Sequence, residues 1–146
     1  MTIYFASDHA GFSLRQTLLA HVQAAGHDVV DLGPAEASSV DYPDFGVKLA
    51  TALQQDDAGY GIAICGSGIG ISMALNRFSW VRAALVSDPL AAALARQHND
   101  ANVLALGERL IEPDLAKQCV DHFLDTEFEG GRHQRRVAKL SQIGEK

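Results

Sequence analysis

The chain has 146 residues, 47% of them hydrophobic, which is typical of one globular domain, 1–146, that can bury a proper core. Its net charge of −6 argues against a nucleic-acid-binding surface, and no apolar run is long enough to cross a membrane. Two cysteines far apart in the sequence indicate neither a zinc knuckle nor a disulfide framework, so we expect a cytoplasmic protein.

Strands and helices alternate along the whole chain, each placed by its apolar periodicity and ended by glycine, proline or polar residues. Apolar runs predict strands at 2–7, 28–32, 61–65, 82–86 and 102–106. Helices are predicted at 12–25, 42–54, 68–76, 89–97, 113–124 and 132–143. This alternation predicts a Rossmann-like α/β fold: an open five-stranded parallel sheet with helices on both faces and an extra C-terminal helix.

Polar residues follow several of the predicted strands. In an open α/β sheet, ligands bind beyond the carboxyl ends of the strands, at a switch in strand order. We therefore expect the polar segments to gather at one edge of the sheet, and we count the end of the fourth helix among them. The segments are 7–11, 65–68, 87–89, 96–100 and 107–109.

The segment 61–71 joins a buried strand to a helix through a glycine-rich turn. The first N–H groups of a helix have no intrahelical partner and the helix dipole adds positive charge, so this turn predicts an anion site. Cys65 ends the strand, where the same field favours a thiolate. The turn matches neither the phosphate loop of NTPases nor the dinucleotide-binding pattern. Cys65 is therefore either a reactive group beside oxyanion donors or a small buried hydrophobe.

The last predicted helix is basic in an otherwise acidic chain. Residues 132–139 include four Lys or Arg side chains and no acid. Arg132 and Arg136 are four residues apart, so they share a helix face and can grip one phosphate. The alternative is an ordinary solvated face.

The histidines divide into two groups. His9 follows Asp8 at a strand end, and His98 closes the fourth helix. The other four, His21, His27, His122 and His133, are interpreted as surface or helix residues. No pair has the spacing of metal ligands, so we expect no metal site.

Five motifs in the same order along the chain together resemble the ribose-5-phosphate isomerase type B family, which also contains galactose-6-phosphate and allose-6-phosphate isomerases. They are SDHAG at 7–11, DYP at 41–43, CGSGIG at 65–70, RQHNDANVL at 96–104 and GGRH at 130–133. The resemblance implies interconversion of an aldose phosphate and a ketose phosphate without a cofactor, in the pentose phosphate pathway. It also implies a homodimer or a dimer of dimers.

The resemblance implies roles for individual residues. Cys65 is the base that moves a proton between C1 and C2 through a cis-enediolate. Backbone amides from Gly66 through Gly68 to Gly70, with the Ser67 hydroxyl, form the hole for the enediolate oxygen. Asp8 and His98 are candidates for opening the furanose ring. Phosphate is held by His9, Arg109, Arg132 and Arg136, and the substrate is lined by Tyr42 and Asn99.

Two further positions follow from the resemblance and the pattern. One branch of the family has a glutamate base just after the last loop glycine; in this chain that position is Ile71, which places it in the cysteine branch. Cys119 lies mid-helix among apolar residues and is assigned to the core.

Three functions remain open from the sequence. The first is isomerisation of ribose 5-phosphate, the second is isomerisation of a six-carbon sugar phosphate, and the third is a non-catalytic sugar-phosphate sensor. Proton-transfer candidates argue against the sensor, because binding alone does not need them. We expect the C-terminal helix, about 131–143, to pack on a partner subunit, with the His98 region facing the partner's Cys65 loop.

Overall fold

The computed structural model describes residues 1–144, so 145 and 146 of the predicted domain lie outside the described residues. Its centre is one five-stranded sheet in which every pairing is parallel. The strand order is β2-β1-β3-β5-β4. This confirms the predicted α/β fold. The strands are β1 (Thr2–Ser7), β2 (Asp28–Asp31), β3 (Tyr60–Cys65), β4 (Ala83–Leu85) and β5 (Val103–Gly107).

Within residues 1–144, a short 3₁₀ turn at His9–Gly11 precedes the first of six helices. The helices are α1 (Phe12–Ala24), α2 (Tyr42–Gln55), α3 (Ile69–Leu75), α4 (Pro89–Asn99), α5 (Pro113–Asp125) and α6 (Arg132–Gln142). Proline stands in the first turn of α2, α4 and α5, where its missing N–H costs no hydrogen bond.

The core has two layers, one on each face of the sheet. Ile62 and Ile64 of β3 point into the layer formed with α1, α4 and α5, whereas Ala63 and Cys65 point into the layer formed with α2 and α3. This alternation is the period of two expected of a strand, and burial on both faces explains why the strand sequence is continuously apolar. Cys119 of α5 is fully buried in the first layer, as predicted, and burial raises the pKa of its thiol to about 11.

The fourth strand begins one residue later than predicted. The side chain of Asn102 accepts the backbone N–H of Arg82 at 2.8 Å, while the Arg82 carbonyl accepts the backbone N–H groups of Asn102 at 3.0 Å and Val103 at 3.3 Å. The Asn76 side chain bonds both backbone groups of Ala83, the first residue of β4. It accepts the N–H of Ala83 at 2.8 Å and donates to the Ala83 carbonyl at 3.0 Å. These two asparagines fix the entry into the edge strand.

The helix α6 lies outside both layers. None of its described residues is buried, and Leu140 and Ile143 at its end are 49% and 74% exposed. It contacts the rest of the chain through α4. The exposed apolar side chains are a surface that this chain alone leaves uncovered.

Candidate active site

The order in which strands are added to the sheet reverses between β1 and β3. From β1 the chain moves outward to β2, then returns to place β3 on the other side of β1. Asp8 follows β1 and Cys65 ends β3, so both lie at the carboxyl edge of this switch, the position where open α/β sheets bind ligands. A cavity of about 360 Å³ opens there. Its lining is Asp8, His9, Ala10, Tyr42, Cys65, Gly66, Ser67, Gly70, Arg109 and Leu110.

Cys65 lies at the floor of this cavity and is 4% exposed. The backbone N–H of Gly68 donates to its Sγ atom at 3.2 Å, an arrangement that suits a sulfur carrying negative charge. The Ser67 hydroxyl accepts the N–H of Ile69 at 3.2 Å. The Gly68 N–H is therefore already engaged as a donor, whereas the Ser67 hydroxyl only accepts here and keeps its own O–H free to donate. Within residues 1–144, the N–H groups of Ser67 and Gly70 have no acceptor, so they are available to an anion.

Two close approaches require glycine around the loop. Gly68 has φ +77°, and a Cβ atom there would lie 2.5 Å from Leu85 Cδ1 and 2.8 Å from the carbonyl carbon of Leu106. A Cβ atom at Gly107 would lie 2.5 Å from the carbonyl carbon of Ser67. The loop after β3 and the end of β5 are therefore in direct backbone contact, which fixes the loop against the sheet.

Arg109 is placed in the cavity by the segment after β5. Its backbone N–H donates to the carbonyl of Gly66 at 3.0 Å, and the N–H of Glu108 donates to the carbonyl of Cys65 at 3.0 Å. The Glu108 carboxylate accepts the N–H of Leu14, in the first turn of α1, at 2.6 Å. This acceptor comes from a distant segment, so the sequence pattern of α1 did not reveal it.

Asp8 and His9 are held by local hydrogen bonds. One carboxylate oxygen of Asp8 accepts the N–H of Gly11 at 3.1 Å and caps the 3₁₀ turn. The Nδ1 atom of His9 contacts both backbone groups of Val40, the N–H at 3.1 Å and the carbonyl at 3.2 Å. In either tautomer this leaves Nε2 uncommitted. A Cβ atom at Gly70 would lie 2.6 Å from Cζ of Tyr42, so the Tyr42 ring packs directly against Gly70.

The end of α4 lies at the opposite edge of the sheet. The carbonyl of Asp100 accepts Arg82 Nε at 2.7 Å, and the carbonyl of Asn102 accepts the N–H of Gly61 at 2.8 Å, so this segment sits beside the amino ends of β3 and β4. Strands of five or six residues separate the two edges by roughly 17–20 Å. The expectation that segment 96–100 shares one edge with the others was therefore wrong: a crossover helix runs antiparallel to its strands and returns to the amino edge.

Several predicted site residues accordingly lie outside the cavity of Cys65. The residues absent from its lining are Gly68, His98, Asn99, Arg132 and Arg136. Asn99 instead lines a second cavity of about 420 Å³. Phe78, Val81, Leu140 and Ile143 are among the apolar side chains that form the walls of this second cavity, and Arg77 and Arg82 are also present.

His98 has two neighbours that the sequence did not reveal. Its ring stacks on that of His133 with centroids 4.3 Å apart and planes 12° from parallel. The Oε1 atom of Glu129 lies 3.8 Å from Nε2 of His98 and 3.7 Å from Nε2 of His133. The interpretation of His133 as a plain surface or helix residue missed this cluster, because the two histidines are 35 positions apart in sequence.

Among residues 1–144, no helix has the length and apolar content needed to cross a membrane.

The chain is similar to known proteins over nearly its whole length. A family model described as Ribose/Galactose Isomerase matches residues 3–140. Ribose-5-phosphate isomerase B of Escherichia coli (strain K12) is 44% identical over 141 residues, which cover 97% of this chain and 95% of that protein.

Solved structures agree with the sequence matches. Ribose-5-phosphate isomerase B of Clostridium thermocellum has a TM-score of 0.95 and 45% identity, covering 98% of this chain and 97% of that chain. The enzyme of Mycoplasma genitalium, solved with bound ribulose-5-phosphate, has a TM-score of 0.93 and 43% identity, covering 97% of this chain and 94% of that chain.

Proposed function

The chain belongs to the ribose/galactose isomerase family, and we propose that it interconverts ribose 5-phosphate and ribulose 5-phosphate without a cofactor. Family membership confirms the resemblance drawn from the five motifs. The observation that carries the proposal is the cavity at the β1/β3 switch, where Cys65 stands beside unpaired backbone N–H groups.

The chemistry proposed for this cavity is proton transfer between adjacent carbons. Cys65 as a thiolate removes the proton from C2 of the open-chain aldose, leaving a cis-enediolate, and the thiol returns it to C1 to give the ketose. The N–H groups of Ser67 and Gly70 are placed to stabilise the negative oxygen that develops. The Gly68 N–H, already directed at Sγ, stabilises the thiolate before each turnover.

Ring opening requires an acid and a base, and the candidates are separated in one chain. Asp8 lines the cavity of Cys65, whereas His98 lies at the far edge of the sheet. We infer that His98 acts in the cavity of a second copy of the chain. A symmetric dimer then holds two equivalent composite sites.

Two surfaces support this assembly. Leu140 and Ile143 project from α6 uncovered, and they line the second cavity beside Asn99, close to His98 in sequence. Ile69 and Met73 of α3, next to the Cys65 loop, are 45% and 64% exposed. Contact between such patches on two copies buries apolar surface. It also brings the carboxyl edge of one sheet, with Cys65, to the amino edge of the other, with His98. A homodimer, alone or paired into a dimer of dimers, is the proposed state.

The phosphate-binding groups divide in the same way. His9 and Arg109 belong to the cavity of Cys65, while Arg132 and Arg136 lie exposed at the start of α6. In the proposed dimer the two pairs come from different subunits and grip one phosphate. Tyr42 from one subunit and Asn99 from the other line the sugar. These assignments, the cytoplasmic location and the place in the pentose phosphate pathway remain predictions.

A six-carbon sugar phosphate is the second candidate, favoured by the family description, which names both ribose and galactose. The bound ribulose-5-phosphate in the Mycoplasma genitalium enzyme supports the five-carbon substrate. Side-by-side assays of ribose 5-phosphate and allose 6-phosphate separate the two. We expect a higher kcat/KM for ribose 5-phosphate; a higher value for allose 6-phosphate contradicts the proposal.

A further inference from the structure

Three potential metal ligands from three segments meet beside the end of α4. They are His98 in the last turn of α4, Glu129 in the loop before α6, and His133 in the first turn of α6. Each offers one ligand atom, and all three atoms lie within 4.8 Å of one another. None of the three groups is used by its own chain at the Cys65 cavity.

The backbone holds these segments together. The N–H of Glu129 donates to the carbonyl of Gln97 at 3.1 Å, which ties the loop to the end of α4. Nε of Arg96 donates to the carbonyl of Thr126 at 3.3 Å, which fixes the start of the same loop. The N–H of His133 donates to the carbonyl of Gly130 at 3.1 Å, which orients the start of α6. The cluster is therefore anchored by main-chain contacts as well as by its side chains.

The distances within the cluster are too long for hydrogen bonds. At 3.7 and 3.8 Å, the contacts from Glu129 Oε1 to the two Nε2 atoms exceed the ordinary limit of about 3.2 Å. They match the spacing around an ion more closely. Two ligands about 2.1 Å from one metal at a tetrahedral angle are roughly 3.4 Å apart. The two imidazole rings are stacked 12° from parallel, so binding requires a rotation that turns them apart until both Nε2 atoms point at one ion. His98 and Glu129 are 40% and 51% exposed and are free to make it.

The ligand chemistry selects the class of ion. Two imidazoles and one carboxylate are a zinc-type set that leaves a fourth position for water, whereas Mg²⁺ and Ca²⁺ prefer oxygen ligands. Arg132 and Arg136 oppose a cation electrostatically, while the Glu129 carboxylate favours it.

We propose that His98, Glu129 and His133 form a binding site for a zinc-class divalent cation, and that an ion bound there inhibits the enzyme by occupying His98. The second half rests on the proposed function, because a histidine whose nitrogen is bound to a metal cannot transfer a proton from it. The site is separate from the Cys65 cavity of the same chain, which is lined by the Cys65 thiol and a different set of side chains.

Binding is tested with Co²⁺, whose visible absorption reports tetrahedral coordination, on chelator-treated full-length protein. We expect saturable binding of one Co²⁺ per chain. Glu129→Gln and His133→Asn each remove one ligand and should weaken binding at least about tenfold. His122→Asn, which changes an exposed histidine on α5, is the matched control and should bind as wild type does. Far-UV circular dichroism checks that every variant is folded.

Inhibition is tested separately with Zn²⁺. Zn²⁺ should slow wild-type isomerisation, a chelator should restore it, and Glu129→Gln should need at least about tenfold more Zn²⁺ for the same inhibition. No saturable Co²⁺ absorption in the wild type, or unchanged affinity in folded Glu129→Gln and His133→Asn, overturns the site while leaving isomerisation intact. Co²⁺ bound as expected with Zn²⁺ leaving the rate unchanged overturns the inhibition by His98 capture. Absence of isomerase activity in metal-free protein instead contradicts the proposed function.

Discussion

The Gly68 N–H donates to the Sγ atom of Cys65 across 3.2 Å, within the turn that joins β3 to α3. The donor is fixed by a positive φ at Gly68 and by backbone packing against Leu106, so it does not have to move when charge appears on sulfur. Such preorganised donors stabilise charge more than water does, because no reorganisation is needed. Cys65 is therefore a buried residue of the layer formed with α2 and α3 whose sulfur also has a fixed backbone donor.

Replacing Cys65 by Ala should abolish isomerisation while leaving sugar-phosphate binding largely intact. General base catalysis typically contributes about 10²–10⁴-fold, and the variant retains the backbone donors and the phosphate-binding groups. The measurement is exchange of substrate C2 deuterium with solvent, alongside binding of the substrate. Exchange at the wild-type rate in Cys65→Ala would show that another group is the base.

Arg136→Ala should raise KM for ribose 5-phosphate, and free ribose should be a poor substrate of the wild type. Loss of a charge-assisted contact costs about 1.5–3 kcal/mol, which corresponds to roughly tenfold to a hundredfold. Arg135→Ala is the matched control, since it removes the same charge from a neighbouring helix face. If inorganic phosphate inhibits the wild type and Arg136→Ala equally, Arg136 does not contact the phosphate.

Gly66→Ala and Gly107→Ala should fail in different ways. A Cβ atom at Gly66 would lie 2.8 Å from Arg109 Nη1, a flexible side chain that can move away, so this variant should fold and show a raised KM. A Cβ atom at Gly107 would press on the backbone of Ser67, which cannot move freely. Overpacking of this kind costs about 1–3 kcal/mol, or several degrees in Tm. Equal Tm values for the two variants would contradict this contrast.

The pKa of His133 should lie below its ordinary value of 6.5, because burial and the charges of His98 and Arg132 disfavour the imidazolium. The folded chain then takes up this proton less readily than the unfolded chain. His133 therefore makes the fold less stable as pH falls below about 6.5. Glu129 acts in the opposite direction, so Glu129→Gln should lower the pKa of His133 further. NMR titration of the ring measures it, and an unchanged or raised pKa in Glu129→Gln would refute the attraction assigned to the Glu129 carboxylate.

Local pattern was sufficient for most of the fold. Continuous apolar runs such as β3 predict strands buried on both faces, and glycine, proline and asparagine mark where they stop. Helix α4 extends two residues beyond its prediction because Asp100 adopts a left-handed conformation, φ 47°, and closes the helix there. The late start of β4 depends on side chains of Asn76 and Asn102 bonding to backbone, which no strand periodicity records.

The site was predictable where its residues follow strands and not where they come from helix ends. Asp8 and Arg109 follow β1 and β5, Cys65 ends β3, and strand order alone brings the three together. His98 ends a helix, and the direction of that helix places it at the other edge. Its contacts with Glu129 and His133 depend on how the loop before α6 folds back on α4, which is a tertiary contact without a sequence period.

The central claim, that Cys65 and His98 act together from two subunits, is tested most directly by complementation. Cys65→Ala and His98→Asn are each expected to be inactive as homodimers. When they are mixed, unfolded and reassembled, random pairing makes about half of the dimers mixed, and each mixed dimer has one intact site, so roughly a quarter of wild-type activity should return. A mixture that stays as inactive as its parents, although mixed dimers are shown to form, would mean that Cys65 and His98 do not meet across subunits.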